Sequence, residues 1–445
     1  MASAAEQLAA NLNFSSFAKA TELRQRIWFT LGALIVFRLG TYVPMPGIDP
    51  AAYASAFQGQ SQGILGIFNM LAGGAVGRMA IFALGIMPYI SASIIVQLLA
   101  TVSPRLEALK KEGEAGRKAL NQYTRMGTVV LAAVQAFGIA IGLQNSGGVV
   151  SNPGPFFIAS SVITLTGGTL FLMWLGEQIT SRGVGNGISL IIFSGIVAAY
   201  PAAFYNTFEM GRNGSISVIG ILLFFAIIAA TIFGIVYFER SQRRLLVQYP
   251  KRQVGQNRQT GGESSHLPLK INTAGVIPPI FASSLLLLPL TFLQFQTNAP
   301  EWLKTIAIYV NHGKPLYMVL YGILIVFFCF FYTAIVFNPT DTADNLKKYG
   351  GFIPGIRPGK RTADYIDHVL TRLTVVGAIY LAVVCLVPEF ILNTYGQGFA
   401  FHFGGTSLLI LVSTTMDTVA QIQSHLLAHQ YEGLIKKARL KGARK

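Results

Sequence analysis
Charge is scarce in this chain of 445 residues. Asp, Glu, Lys and Arg make up 12% of it, where an ordinary globular protein carries about 25%. That excludes the two or three soluble domains such a length would otherwise suggest. Cysteine is rarer still. Cys329 and Cys385 are the only two, too few for a disulfide framework, and both read as small packing residues inside apolar runs. The histidines form no metal or catalytic pattern. His266, His312, His368 and His402 are scattered, and the "HLLAH" of His425 and His429 lacks the glutamate a zincin needs. No Walker motif occurs. The nearest Gly-rich stretch, "RGVGNGIS" (residues 182–189), has no Lys-Ser/Thr after it and follows an apolar run. No cofactor, metal or catalytic residue is expected, so any driving energy comes from another molecule. The N-terminal "MASAAEQLAANLNFSSFAKATELRQR" lacks the apolar core of a cleavable signal.

What the chain has is long uncharged runs, with 52% hydrophobic residues overall. Residues 79–104, 183–208, 214–238, 271–300 and 315–340 each exceed the roughly 20 residues that cross hydrocarbon. Residues 126–176 are long enough to cross twice, with "NSGGVVSNPGP" as the turn between passes. Residues 27–43, 373–388 and 404–425 complete the set, the first containing Arg38 and the last Asp417. The expectation is an all-α polytopic membrane protein with ten spanning helices.

The formal charge of +16 is distributed unevenly. With the N-terminus in the cytoplasm, 29 of the 34 Lys and Arg fall on cytoplasmic segments; Arg78, Arg212, Lys304 and Lys314 lie outside and Arg38 within a span. This is the positive-inside pattern, and it puts both termini in the cytoplasm. Two loops, 239–270 and 338–372, are strongly basic. Orientation and attraction of anionic lipid account for scattered charge of this kind. A loop of over thirty residues also suits docking of a large cytoplasmic partner, either nucleic acid or an acidic protein surface.

Two apolar runs share a pattern: "GIMPYISAS" (residues 85–93) and "GVIPPIFAS" (residues 275–283) both read Gly-x-x-Pro-x-Ile-x-Ala-Ser. Each opens the second span of its five. Interrupted helices in corresponding halves point to the working site of a repeat-built transporter. Proline and glycine there are expected to let each helix bend. Intramembrane carboxylates or counter-ion pairs, the mark of ion-coupled carriers, are missing from these spans. Ile86 and Ile90 are one helical turn apart, as are Ile188 and Ile192. Such pairs serve either as packing and lipid-facing aliphatics or as a hydrophobic constriction that gates a pore by dewetting.

"MAIFALGIMPYISASIIVQLL" and "WLGEQITSRGVGNGISLII" closely resemble the two signature segments of the SecY family of protein-conducting channels. "HLPLKINTAGVIPPIFASS", "FNPTDTADNLKKYGGFIPGIRPGKRT" and "FGGTSLLILV" resemble further family blocks in the same order. The resemblance runs from about Phe17 to the C-terminal "KKARLKGARK". It implies two pseudo-symmetric, inverted five-helix halves around an hourglass channel. On this division residues 1–24 are an N-terminal segment, 25–208 the first half, 209–425 the second and 426–445 a basic tail. The implied pore ring is Ile86, Ile90, Ile188, Ile192, Ile280 and Ile410. The segment 63–74 matches the family's plug, through Gly63, Ile64, Leu65, Ile67, Phe68, Asn69, Met70, Leu71, Gly73 and Gly74; an interfacial re-entrant helix would read the same way. The lateral gate would use Ser91, Ser93 and Gln97 on one side and Ser283, Ser284 and Leu288 on the other. Ordinary interhelical hydrogen bonding competes with that role.

The resemblance also implies partners. These are the small membrane subunits SecE and SecG, the motor ATPase SecA, the ribosome, signal sequences, nascent polypeptides and anionic lipids. Arg357 matches the family's docking arginine, and Lys251, Arg252, Arg258, Lys347, Lys348, Lys360 and Arg361 would share that surface. One departure is Asn257, where the family often has a second basic residue; it removes one expected phosphate contact. The implied location is the bacterial inner membrane. A small-solute facilitator is the alternative, but it would need a polar midplane site that these spans barely supply.

Overall fold
The computed structural model describes residues 21–58, 69–145, 148–214, 217–249, 252–253, 259–260, 264–295, 309, 314–395 and 404–442. Thirteen helices are described: α1 Thr21–Gly40, α2 Pro50–Gln58, α3 Met87–Val102, α4 Pro104–Lys111, α5 Glu114–Asn145, α6 Pro155–Arg182, α7 Gly187–Arg212, α8 Val218–Arg240, α9 Ile277–Phe295, α10 Pro315–Val336, α11 Pro339–Lys348, α12 Lys360–Tyr395 and α13 Gly405–Gly442. Each of the ten runs expected to span carries one of the long helices. Six helices among the described residues are long and apolar enough to cross a membrane, seven if the α3–α4 pair counts as one. That pair bends by 104°, at Ser103, where Pro104 starts the next helix. α1 is outside the count because Arg24, Arg26 and Arg38 share its length, and the described apolar part of α9 is the short Ile277–Leu286.

Helix starts follow local chemistry. Ser217 Oγ caps α8 by accepting from Gly220 N at 3.1 Å, and Asn338 Oδ1 caps α11 by accepting from Thr340 N at 3.1 Å. Proline stands in the first turn of α3, α4, α6, α10 and α11, where its missing N–H would be unpaired anyway.

The two Gly-x-x-Pro segments stand at the starts of their helices. Residues 79–86 are turns apart from Ala80, which bridges Pro44, and α3 begins only at Met87 with Pro88 in its first turn. α9 likewise begins at Ile277, with Pro278 and Pro279 next. Gly85 and Gly275 stand just before, both left-handed at φ +56° and +63°, a conformation that glycine adopts without a Cβ clash. The shared pattern is therefore a helix-start device. It breaks no helix.

The chain divides into two compact units. The first contains Met1–Tyr205, Pro289–Lys304 and Thr414–Lys445; the second contains Asn206–Leu288 and Thr305–Ser413. In the first, Ala132, Ala136 and Ala140 form a fully buried stripe on α5, and small residues of this kind let helices approach closely. Met45, Met79, Leu84, Phe157 and Leu165 pack into the same cluster. The loop before α3 threads this unit. Phe82 stacks between Phe37 and Phe171, at 6.3 and 5.8 Å. A Cβ at Gly168 would fall 2.2 Å from the Ile81 carbonyl oxygen, so only glycine admits the loop there.

In the second unit Phe238 of α8 stacks on Tyr380 of α12 at 4.5 Å. Gly405 lies so close to the Val384 carbonyl that a Cβ would meet it at 1.9 Å. The loop after α8 is not irregular. Strands β1 Gln242–Gln248 and β4 Ser264–Lys270 pair antiparallel, with the short β2 Arg252–Gln253 and β3 Gln259–Thr260 pairing beyond them. Leu245 and Val247 on β1, with Leu269 on β4, are buried on one face, the alternation a half-buried ribbon requires.

Candidate functional site
The ring residues divide between the units. Ile86, Ile90, Ile188 and Ile192 belong to the first, Ile280 and Ile410 to the second. Ile86 immediately precedes α3, and its carbonyl accepts from Ile90 N at 3.1 Å, so the first helical turn stacks the two. Ile86, Ile90, Ile192 and Ile410 are buried, whereas Ile188 and Ile280 are half-buried. α7 carries Ile188 and Ile192 and is started by Asn186, whose Oδ1 accepts from the N–H groups of Ile188 and Ser189.

The Gly-rich stretch before α7 is a packing junction. Val184 N donates to Thr30 Oγ1 at 3.0 Å, Gly185 N to Gln421 Oε1 at 2.8 Å and Gly187 N to Thr180 Oγ1 at 2.9 Å. These amides are satisfied by α1, α13 and α6. Leu23, Val184 and Leu426 bury together beneath them.

Of the plug segment, Gly63, Ile64, Leu65, Ile67 and Phe68 lie outside the described residues. Asn69, Met70, Leu71, Gly73 and Gly74 are described and form a closed turn. Gly74 N donates to the Asn69 carbonyl at 2.7 Å, Gly73 N to Met70 O at 3.0 Å, and Gly77 N to Asn69 Oδ1 at 2.6 Å. Gly73 and Gly74 are both left-handed, at φ +68° and +84°. The turn packs against Gly195 of α7, where a Cβ would lie 3.0 Å from Leu71 O and 3.1 Å from Gly73 N. Gly195 is three residues beyond Ile192, and the sequence reading missed it; a glycine inside an apolar helical run is the signal that marks a close backbone approach.

Each serine of the gate set that has a described bond uses its own helix. Ser283 and Ser284 both donate to the Ile280 carbonyl, at 2.9 and 2.8 Å. Ser93 Oγ accepts from Gln97 Nε2 at 3.2 Å, and Ser91 is buried. The side chain of Leu288 lies outside the described residues.

The two basic loops, read separately in the sequence, build one body. Gln248 and Phe352 exchange backbone hydrogen bonds of 2.9 Å in both directions, which adds the second loop to the β1 edge. Beneath them Leu245, Leu269, Ile353, Ile366 and Val369 form a buried cluster, flanked by Phe337, Leu346 and Ile356. Lys347, Lys348, Arg357, Lys360 and Arg361 are exposed on this body, as are Arg243 and Arg244, which the sequence reading did not select. The turn bearing Arg357 is held by Thr362 Oγ1, which donates to the Arg357 carbonyl at 3.0 Å, and by left-handed Gly355 and Gly359. Lys251, Arg258 and the side chain of Arg252 lie outside the described residues.

Comparison with known proteins decides the family. The SecY family model matches residues 80–419. The chain belongs to the SecY family. The protein translocase subunit SecY of Escherichia coli (strain K12) is 54% identical over 426 residues, covering 95% of this chain and 96% of that protein. The corresponding subunit of Rickettsia bellii (strain RML369-C) is 53% identical over 435 residues, covering 97% and 100%. Among solved structures, one described as "The structure of a protein conducting channel" has a TM-score of 0.65 at 17% identity, covering 91% of this chain and 92% of that one. Sec61 in the canine ribosome–channel complex from the endoplasmic reticulum has a TM-score of 0.61 at 16% identity, with the same coverage. This SecY-family chain is thus a helical, multi-pass membrane protein whose fold is that of the Sec channels.

Proposed function
We propose that this protein-conducting channel moves unfolded secretory polypeptides across the bacterial inner membrane and releases hydrophobic segments sideways into lipid. The observation that carries the reading is the 54% identity, over 95% of the chain, to a named translocase subunit. The basic body built by the loops 239–270 and 338–372 supports the rest, because a passive pore needs a place for its motor to dock. Both termini and both loops face the cytoplasm, in keeping with the 29 basic residues on that side.

The mechanism divides between wall and motor. The six isoleucines form an apolar waist that seals around an extended chain and, when empty, excludes water and ions. The segment 63–74 closes the outer side at rest; a solved SecY structure is described in terms of a plug domain that "stablizes the closed state" and "maintains a membrane seal". Ser91, Ser93, Gln97, Ser283, Ser284 and Leu288 are assigned to the lateral gate, where the serine hydroxyls and the Gln97 amide turn to water when it parts. SecE and SecG brace the channel, while SecA or the ribosome binds Lys251, Arg252, Arg258, Lys347, Lys348, Arg357, Lys360 and Arg361. The chain itself supplies the path and no chemical step.

Cysteines placed singly at the six ring positions test the path. A secretory chain stalled in transit should crosslink to all six. Crosslinking to none, with translocation intact, would remove the ring assignment.

A further inference from the structure
Arg38 is half-buried in the last turn of α1, inside a run expected to span, and a charged residue in such a run is by default a functional candidate. Its Nη1 donates to the Gly73 carbonyl at 2.5 Å, 35 residues further along the chain. Arg78 reaches the same oxygen with Nη2 at 3.3 Å and the Gly74 carbonyl with Nε at 3.2 Å. Both guanidiniums flank one ring: Arg38 Cζ is 5.0 Å and Arg78 Cζ 3.9 Å from the centroid of Tyr42. Arg38 Nη2 also donates to Tyr42 Oη at 3.0 Å. Among the described residues neither arginine has a carboxylate ion pair. The left-handed Gly73 and Gly74 can turn their carbonyls toward these donors because they carry no Cβ.

We propose that Arg38 and Arg78 are positioning residues that latch residues 69–74 through the Gly73 and Gly74 carbonyls. They hold this turn against Gly195 until a passing chain displaces it. The inference rests on reading the 63–74 segment as the seal of the channel. Its physical basis is charge assistance, since two guanidiniums on one carbonyl oxygen bind it more firmly than neutral donors would. Tyr42 presents its ring face to both cations and keeps them side by side. Residues 69–74 are thereby held by cations at the Gly73 and Gly74 carbonyls and abut the α7 backbone at Gly195. Moving the segment outward breaks three hydrogen bonds together, which makes release a single step.

The test uses the complete channel complex in planar bilayers at matched protein content. Arg38→Gln combined with Arg78→Gln should raise the open fraction at rest by about tenfold or more, since losing even one of the three bonds from a charged group has about that effect. Met70→Cys in that background should react faster with a membrane-impermeant maleimide. Arg38→Lys keeps the charge with a shorter, unforked donor and should fall between wild type and the double variant, which covers the case where the double variant assembles poorly. Wild-type conductance and labelling in both variants would overturn the latch. Deletion of residues 63–68 separates the two readings. If the deletion leaves resting conductance unchanged, the seal assignment itself fails; if it opens the channel while the arginine variants do not, only the latch fails.

Discussion
Asn272 joins Glu239 across the base of the hairpin: its Nδ2 donates to Glu239 Oε1 at 2.6 Å and to the Gly275 carbonyl at 3.0 Å. Glu239 lies in the last turn of α8, and Gly275 stands two residues before the first residue of α9. One buried amide therefore connects the root of the basic ribbon to the start of a proposed gate helix. Asn272→Ala should cost about 1–3 kcal/mol, since it removes a buried donor that serves a charged acceptor. Thermal unfolding in detergent would show a lowered midpoint, and an unchanged midpoint would contradict the structural weight given to this amide.

The apolar waist makes a second prediction. Ile90→Asn or Ile280→Asn places an amide at a constriction whose resistance depends on dryness, so resting single-channel conductance should rise. Unchanged conductance at normal protein levels would remove those two residues from the ring.

Gly195 provides a graded test of the close approach to residues 69–74. Gly195→Ala introduces a carbon 3.0 Å from Leu71 O, and Gly195→Val adds two more methyls. Resting conductance should increase in that order as the segment is pushed away. Gly32→Ala is the control: nothing lies within 4 Å of its Cβ position, so conductance should stay at the wild-type level.

The docking body can be perturbed in its core or on its surface. Leu245 is 5% exposed within the cluster formed with Ile353 and Ile366. Leu245→Ala should destabilise that body by about 2–5 kcal/mol. Limited trypsin digestion would then cut within 239–270 well before the wild type is cut there. Equal digestion rates would show that the two loops do not share a core.

Arg357→Glu changes only an exposed side chain. Motor-driven translocation should fall by about tenfold or more if the acidic or phosphate-rich partner meets this point directly. The amount of channel in the membrane should not change. A wild-type rate of ATP-driven translocation would remove Arg357 from the docking surface.

By itself the sequence determined the class and the spans. Crossing hydrocarbon demands about 20 apolar residues whose backbone bonds close internally, and that demand is local to each run. Cation asymmetry is similarly a linear property, so the basic loops were legible as charge. Their union was not, because Leu245, Leu269, Ile353 and Ile366 come from two loops far apart in sequence and meet only in space. The alternation of Leu245 with Val247 was a readable strand signal, masked by the arginines that precede it. Gly-x-x-Pro in an apolar run is ambiguous between a bent helix and a started one. Tertiary structure decided it, by setting Gly85 and Gly275 in the left-handed region and burying the turns before α3. Arg38 was visible as an isolated charge in a span. That it grips Gly73 beside Arg78 depends on a loop folding back 35 residues later, a long-range closure that local residue pattern does not encode.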